Sequence, residues 1–244
     1  TGLPLFYADG QQTDFKASDN AGARWNTNEI QVYNAFVNLE HTFANDWKLK
    51  FSGNYLYGER EFSSANASWG FVERNTGDGV QFYGGLGSAR QRQSGFDVQA
   101  AGPFELWGRK HEFVVGMNWA EFKNYHEPMS GAGIEGRAVN VYGWDNETAE
   151  PTVTGQELMD YDGWQKQQGV YSALRLKPTD DLAVIVGPRV SNYRYKLSQI
   201  YTSPALARNN KITEMSESGV VTPYAGVVYD LNDQHSVYAS YTSI

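Results

Sequence analysis

The chain contains no cysteine, which removes disulfides, thiolate chemistry and cysteine-held zinc from consideration. It also lacks any long hydrophobic run. The longest, Leu182 to Val186, is about a quarter of the roughly 20 residues that a membrane-spanning helix needs. Basic residues are outnumbered, 20 Lys and Arg against 28 Asp and Glu, for a net charge of −8. With no Lys/Arg cluster either, nothing marks a nucleic-acid partner. Disorder is excluded because such chains are poor in aromatics, whereas this one holds 16 Tyr, 12 Phe and 7 Trp. What remains is an all-β chain of 244 residues rich in glycine and aromatic rings.

Turn-forming residues divide it unevenly. Short turns are expected at Phe43-Ala44-Asn45-Asp46-Trp47, at Gly102 through Arg109, at Lys177-Pro178-Thr179-Asp180-Asp181 and at Asp230-Leu231-Asn232-Asp233-Gln234, where Asn, Asp, Gly and Pro supply the turn chemistry. Between them lie three long connections, roughly 60–90, 123–163 and 196–219, rich in Gly, Asn, Ser and acidic residues. Alternation of short and long connections is the plan of an outer-membrane barrel, with tight periplasmic turns and large extracellular loops.

The strands alternate with period two. Leu49, Phe51, Tyr55 and Tyr57 oppose Lys48, Lys50, Ser52 and Asn54. Phe113, Val115, Met117 and Trp119 oppose Glu112, Gly116 and Asn118, and Leu182, Val184, Val186 and Val190 oppose Ala183, Gly187, Arg189 and Ser191. In a soluble sandwich the apolar face would be the core. The aromatics favour lipid instead: Phe43, Trp47, Phe104, Trp107 and Tyr229 lie beside the short turns, and Tyr55, Tyr57, Trp119, Tyr193 and Tyr195 near the opposite strand ends. Two aromatic bands around an aliphatic zone are the girdles of a membrane barrel. The expectation is a transmembrane antiparallel β-barrel segment of about eight strands, near 30–42, 47–59, 91–102, 109–122, 164–177, 181–195, 219–230 and 235–243. Residues 1–29 are expected to be an extracellular loop, and 30–244 four hairpins carrying three long extracellular loops. Thr1 opens without a basic and apolar leader, and Tyr241-Thr242-Ser243-Ile244 stops within a strand pattern. An arc of a larger cylinder is therefore expected rather than a small closed barrel.

Several stretches carry a family likeness: Gly2-Leu3-Pro4-Leu5-Phe6-Tyr7 with Asp9-Gly10, and Asn38-Leu39-Glu40-His41-Thr42-Phe43-Ala44-Asn45-Asp46-Trp47. Ala101-Gly102-Pro103-Phe104-Glu105-Leu106-Trp107-Gly108-Arg109 and Gly169-Val170-Tyr171-Ser172-Ala173-Leu174-Arg175-Leu176 add to it. The strongest is Thr222-Pro223-Tyr224-Ala225-Gly226-Val227-Val228-Tyr229-Asp230-Leu231-Asn232-Asp233, continued by Ser236-Val237-Tyr238-Ala239-Ser240-Tyr241-Thr242. Through these stretches the chain resembles the barrel of TonB-dependent ferric-siderophore receptors, in the hydroxamate and pyoverdine-type branch. The resemblance implies a 22-stranded barrel in a Gram-negative outer membrane, with a plug domain that this sequence does not include. It further implies import of ferric siderophores with energy from TonB. The implied partners are the ferric siderophore, the plug and TonB of the parent, outer-membrane lipid and lipopolysaccharide, and a bacteriocin or phage docking on the loops.

The iron of such a chelate arrives held by the siderophore's own oxygens, so no cofactor and no metal ligand of the protein is expected. Rigid aromatic rings and hydrogen-bonding cations suit the chelate. Trp69, Tyr83, Tyr142 and Trp144, with Arg74, are the candidate binding residues among the loops, against the plainer reading that they pack within their own loops. Inward-facing Asn54, Asp97, Arg175 and Arg189 are expected to meet plug or water. His41, His111 and His235 sit beside short turns and His126 at the other end, so no catalytic or metal cluster is visible and no enzyme is expected. The alternative function is a passive porin-like or structural barrel.

Overall fold

In a computed structural model of the chain, residues 3–16, 18–132, 137–150, 152–157 and 159–243 are described. They form one antiparallel sheet. Its strands are β1 (Thr27–Thr42), β2 (Lys48–Gly70), β3 (Val80–Leu106), β4 (Arg109–Ala132), β5 (Ala138–Val139), β6 (Thr152–Glu157), β7 (Met159–Leu176), β8 (Leu182–Tyr201), β9 (Lys211–Asn232) and β10 (His235–Thr242). The spatial order is β1-β2-β3-β4-β7-β8-β9-β10, each strand beside its predecessor, with β5 on β3 and β6 on β4. Such an up-and-down meander is the wall of a barrel, and no second sheet packs over it among the described residues. β1 and β10 are open edges. Lipid leaves an unpaired strand edge unsatisfied, so the cylinder needs further strands to close.

Register rows fix the two faces, because directly paired residues point the same way. One row carries Glu40, Lys50, Gln99, Gly116, Tyr171 and Arg189, and the next carries Asn38, Ser52, Asp97, Asn118 and Gly169. Their side chains join across strands. Lys50 reaches Glu40 at 3.0 Å, the Tyr171 hydroxyl donates to the Asp97 carboxylate at 3.1 Å, Arg189 donates to Asn118 at 3.0 Å and Arg175 to Glu112 at 3.1 Å. This wet, laced face is the lumen. The opposite face exposes Val37, Leu39, Leu49, Val115, Met117, Val170, Val186, Val221 and Val237, a band suited to lipid.

Aromatic pairs bound that band. Trp47 leans on Phe113 at 6.5 Å on the short-turn side. Phe96 stacks on Trp119 at 5.9 Å, and Tyr33 on Tyr57 at 6.3 Å, on the other. Tyr193 and Tyr195 do not belong to this girdle. They pair with Gln167 and Gln165 and so face the lumen.

Several expected boundaries move. The second short turn is only Trp107-Gly108, both at positive φ (55° and 71°), the two-residue hairpin geometry that matches strand twist; β3 continues through Pro103 to Leu106. The long connections do lie at one end, but most of their length is strand. The 60–90 connection shrinks to 71–79, because β2 and β3 pair from Arg60↔Ala89 out to Gly70↔Val80. The 196–219 connection shrinks to 202–210, around a 3₁₀ turn at Pro204–Asn209, and β4 and β7 extend beyond 123 and 163. Strands of 20 to 27 residues in β2, β3, β4, β8 and β9 run far past the roughly 9–11 that cross a bilayer. Their outer ends lie in water, so no alternation of apolar and polar residues marks them.

Candidate functional site

Two places at the extracellular end gather polar and aromatic side chains. The first is a loop module capping the β2–β3 hairpin. Residues 3–16 and 18–26 fold back over that hairpin: Asn26 mimics a further strand by exchanging two hydrogen bonds with the Ala65 backbone, at 2.8 and 3.0 Å. A small core of Ala65, Ala67, Val72, Val80, Phe82, Val139 and Val141 forms beneath, with Tyr7 and Ala23. Three of the candidate residues come together here. The Arg74 guanidinium lies 4.9 Å over the Tyr7 ring, pairs with Asp9 at 3.4 Å and donates to Gln11. The Tyr142 hydroxyl donates to the Arg74 carbonyl at 2.6 Å. Trp144 sets its edge against Phe82 at 5.1 Å and packs on the module core. The side chains of Trp69 and Tyr83 lie outside the described residues; their backbones pair with Gln81 and Asn66 in the same hairpin.

The module is locked by charge as well as by packing. The Tyr7 hydroxyl donates to Asp14 at 2.6 Å. That bond raises the Tyr7 phenol above its ordinary value and lowers the Asp14 carboxyl below its own. Arg24 reaches Glu147 at 2.8 Å, and the Trp25 indole donates to the Thr148 carbonyl at 3.0 Å. Arg74 and Tyr142 are therefore bonded within the module, and Trp144 is packed there, while the buried Arg74 Nε and Trp144 Nε1 have no hydrogen-bond partner among the described residues.

The second place is the mouth of the lumenal wall. One register row there runs Ile30, Arg60, Ala89, His126, Tyr161 and Gln199 across six strands. β3 contributes only Gly87 and Ala89 between its neighbours, which lets Phe62 of β2 reach over to stack on His126 of β4 at 5.6 Å, 5° from parallel. Tyr161 meets His126 edge-on at 6.1 Å. Arg60 lies 4.9 Å over Phe62 and donates to Asn28 at 2.6 Å. Burial first, and the Arg60 charge second, hold the His126 imidazole below its ordinary range. A hollow of about 300 Å³ opens beside it, lined by Ile30, Gly58, Arg60, Gln91, Asn124 and His126.

This hollow presents a guanidinium, an imidazole and two amides beside aromatic faces. Such groups donate to anionic oxygens and stack on planar chromophores. Sequence reasoning placed Arg60 only at the start of one long connection and His126 only within another, at the end opposite the short turns. Neither carried a motif; cross-strand register alone brings them together.

Comparison with known proteins decides the family. The model of the TonB dependent receptor-like β-barrel matches residues 2–244. The chain belongs to that family. It is outer-membrane barrel wall of a Gram-negative bacterium, and a soluble sandwich is excluded. The ferric-pyoverdine 358 receptor of Pseudomonas putida is 39% identical over 254 residues, covering 100% of this chain and 29% of the relative. The ferripyoverdine receptor of Pseudomonas aeruginosa is 33% identical over 249 residues, covering 99% of this chain and 28% of the relative. Among solved structures, the ferripyoverdine receptor of the Pseudomonas aeruginosa outer membrane bound to ferripyoverdine superposes with a TM-score of 0.83 at 29% identity, over 98% of this chain and 30% of that one. The FpvAI–pyocin S2 complex superposes at 0.81 and 29% identity, over 98% and 29%. The chain thus spans about three tenths of the length of the relatives it matches. The family is one of receptors rather than enzymes, and membership weighs against the passive porin reading.

Proposed function

We propose that the polypeptide carrying this chain binds ferric siderophores of the pyoverdine class outside the cell and imports them with TonB-derived energy. The observation that carries the proposal is a likeness to named ferric-pyoverdine receptors that runs the whole length of the chain. The lumenal mouth supports it chemically. Arg60, His126 and Gln91 donate to oxygens of the chelate, and Phe62 and Tyr161 offer flat faces to its aromatic part. Iron enters as cargo inside the chelate, so the protein supplies no iron ligand and no cofactor, and it performs no catalysis. The charged lumenal rows, Lys50–Glu40 and Tyr171–Asp97 among them, suit a hydrated plug domain, which TonB would move. Tyr142, Trp144 and Arg74 shape the outer vestibule rather than grip the chelate, and the same outer surface offers a docking site for a bacteriocin, as the FpvAI–pyocin S2 complex illustrates.

The test is titration of the full-length polypeptide with ferric pyoverdine, read by quenching of intrinsic tryptophan fluorescence. Saturable binding is expected. Arg60→Ala is expected to weaken it by about tenfold or more, the scale of a lost charged hydrogen bond. Absence of saturable binding to any ferric siderophore offered contradicts the proposal.

A further inference from the structure

A permanent cation and a titratable base face one another across the mouth of the lumenal wall. Arg60 and His126 share a register row with only Ala89 between them, so their backbones stand about 10 Å apart, two strand spacings. The next row toward the membrane holds Gly58, Gln91 and Asn124. Ala89 and Gly58 bring almost no side chain. The hollow therefore has a guanidinium on one wall, an imidazole on the other and two amides at its base.

The partners of Arg60 are uncharged: it donates to the Asn28 amide oxygen, lies over the Phe62 ring and forms no ion pair among the described residues. No described negative charge faces His126 either. β2 presents Arg60 and Phe62, β3 only Gly87 and Ala89, and β7 the Tyr161 phenol. The nearby acids point the other way. Glu59 and Glu61 alternate with Arg60, and Asp160 and Asp162 with Tyr161, which turns them to the outer face. Glu59, at the border of the hollow, is already engaged by Arg90 at 3.5 Å and by the Tyr57 hydroxyl. The hollow is thus net cationic in a chain of net charge −8.

If the wall serves the uptake function proposed above, on which this step rests, the cargo decides the anion. A ferric chelate commits its iron-binding oxygens to the metal, which leaves a carboxylate outside the iron's shell for a guanidinium and an imidazole to hold. We propose that the hollow receives such a free carboxylate of the chelate between Arg60 and His126, and that His126 takes up one proton from solvent as the carboxylate seats. Without the chelate, burial and the Arg60 charge oppose charging of the imidazole. A carboxylate between the two replaces that repulsion with two charge-assisted hydrogen bonds. Capture and protonation then promote each other. By linkage, the affinity for a carboxylate-bearing chelate rises as the pH falls through the histidine range and levels off below the lowered value of free His126. A chelate without the carboxylate gains nothing from the proton.

Isothermal titration calorimetry of the full-length polypeptide with ferric pyoverdine bearing a free carboxylate tests this, run from about pH 5 to about pH 8 in pairs of buffers with different ionisation enthalpies. Net uptake of up to one proton per chelate is expected, with affinity tightening by up to about tenfold per pH unit, the limit for one coupled proton. His126→Gln keeps a hydrogen-bonding amide but cannot be charged; it is expected to bind with a flat pH profile and without that uptake. Protons taken up by the chelate itself appear equally in the variant and are subtracted. The same chelate with its free carboxylates converted to amides is expected to bind the parent without the uptake, and it decides alone should the variant not fold. The proposal is overturned if the parent takes up no proton anywhere in the range, if the uptake persists in His126→Gln, or if the amidated chelate takes up as much as the acid form. Saturable binding without proton uptake removes this proposal and leaves the uptake function standing, whereas absence of saturable binding contradicts the uptake function and this proposal with it.

Discussion

His126 and His111 show how differently one residue type serves the two ends of the wall. His126 stacks between Phe62 and Tyr161 with its imidazole held neutral by burial and the Arg60 charge. A histidine depressed in this way contributes stability that is complete above its ordinary value of 6.5 and is lost as the pH falls from there through the lowered folded value. The mouth cluster is therefore expected to loosen below about pH 6.5. Thermal unfolding of the full-length polypeptide against pH measures this, and His126→Phe is expected to remove that part of the acid sensitivity; an unchanged pH profile in the variant contradicts it. His111, only 1% exposed, instead clasps two periplasmic turns. Its Nε2 donates to the Leu106 carbonyl at 3.0 Å, and its Nδ1 accepts the Lys177 N–H at 3.0 Å. His111→Leu strands a buried N–H and is expected to cost about 1–3 kcal/mol, seen as a lowered unfolding midpoint; a midpoint equal to the parent's contradicts the clasp.

At the scale of strands, the membrane-crossing portions were legible because one face meets lipid and the other water. Leu49 against Lys50 and Met117 against Asn118 announce strand and face together. The outer halves were not legible, since Ser63, Ser64, Ala65, Asn66 and Ala67 carry no alternation, and only pairing across β2 and β3 reveals them as strand. Tyr193 and Tyr195 misled for a related reason: proximity to the girdle does not set the face, register does. Gly187 shows what the sheet demands of a single position. It stands beside Pro188, where β7 and β8 lose two ladder pairs between Tyr171↔Arg189 and Leu174↔Val186. A Cβ on Gly187 would meet the Ser172 carbonyl oxygen at 2.1 Å, and backbone cannot swing aside as a side-chain tip can. Gly187→Ala is expected to impair barrel assembly, measured as loss of the heat-modifiable folded form in outer membranes. Normal yield of that form contradicts the account.

On the scale of the whole molecule, a ten-stranded sheet built on an eight-stranded meander with two open edges is a wall, and its chemistry divides by face. The lumen is laced with charge, the exterior is apolar between aromatic bands, and the extracellular end carries both the loop module and the Arg60–His126 hollow. Family and architecture could be read from the sequence through ordered stretches such as Thr222–Thr242. The hollow could not, because Arg60, His126 and Tyr161 are far apart in the chain and belong to three different strands. Arg74, Tyr142 and Trp144 were legible as loop residues suited to binding, but their packing over Tyr7 and against Phe82 appears only in three dimensions.

The central claim is energy-coupled uptake of a ferric siderophore through the barrel to which this wall belongs. The most direct measurement is accumulation of radioactive iron from ferric pyoverdine by cells expressing the full-length polypeptide, with and without a functional TonB. The account predicts saturable accumulation that requires both the polypeptide and TonB. Accumulation that persists without TonB and rises linearly with the chelate concentration would contradict it and point to a passive pore.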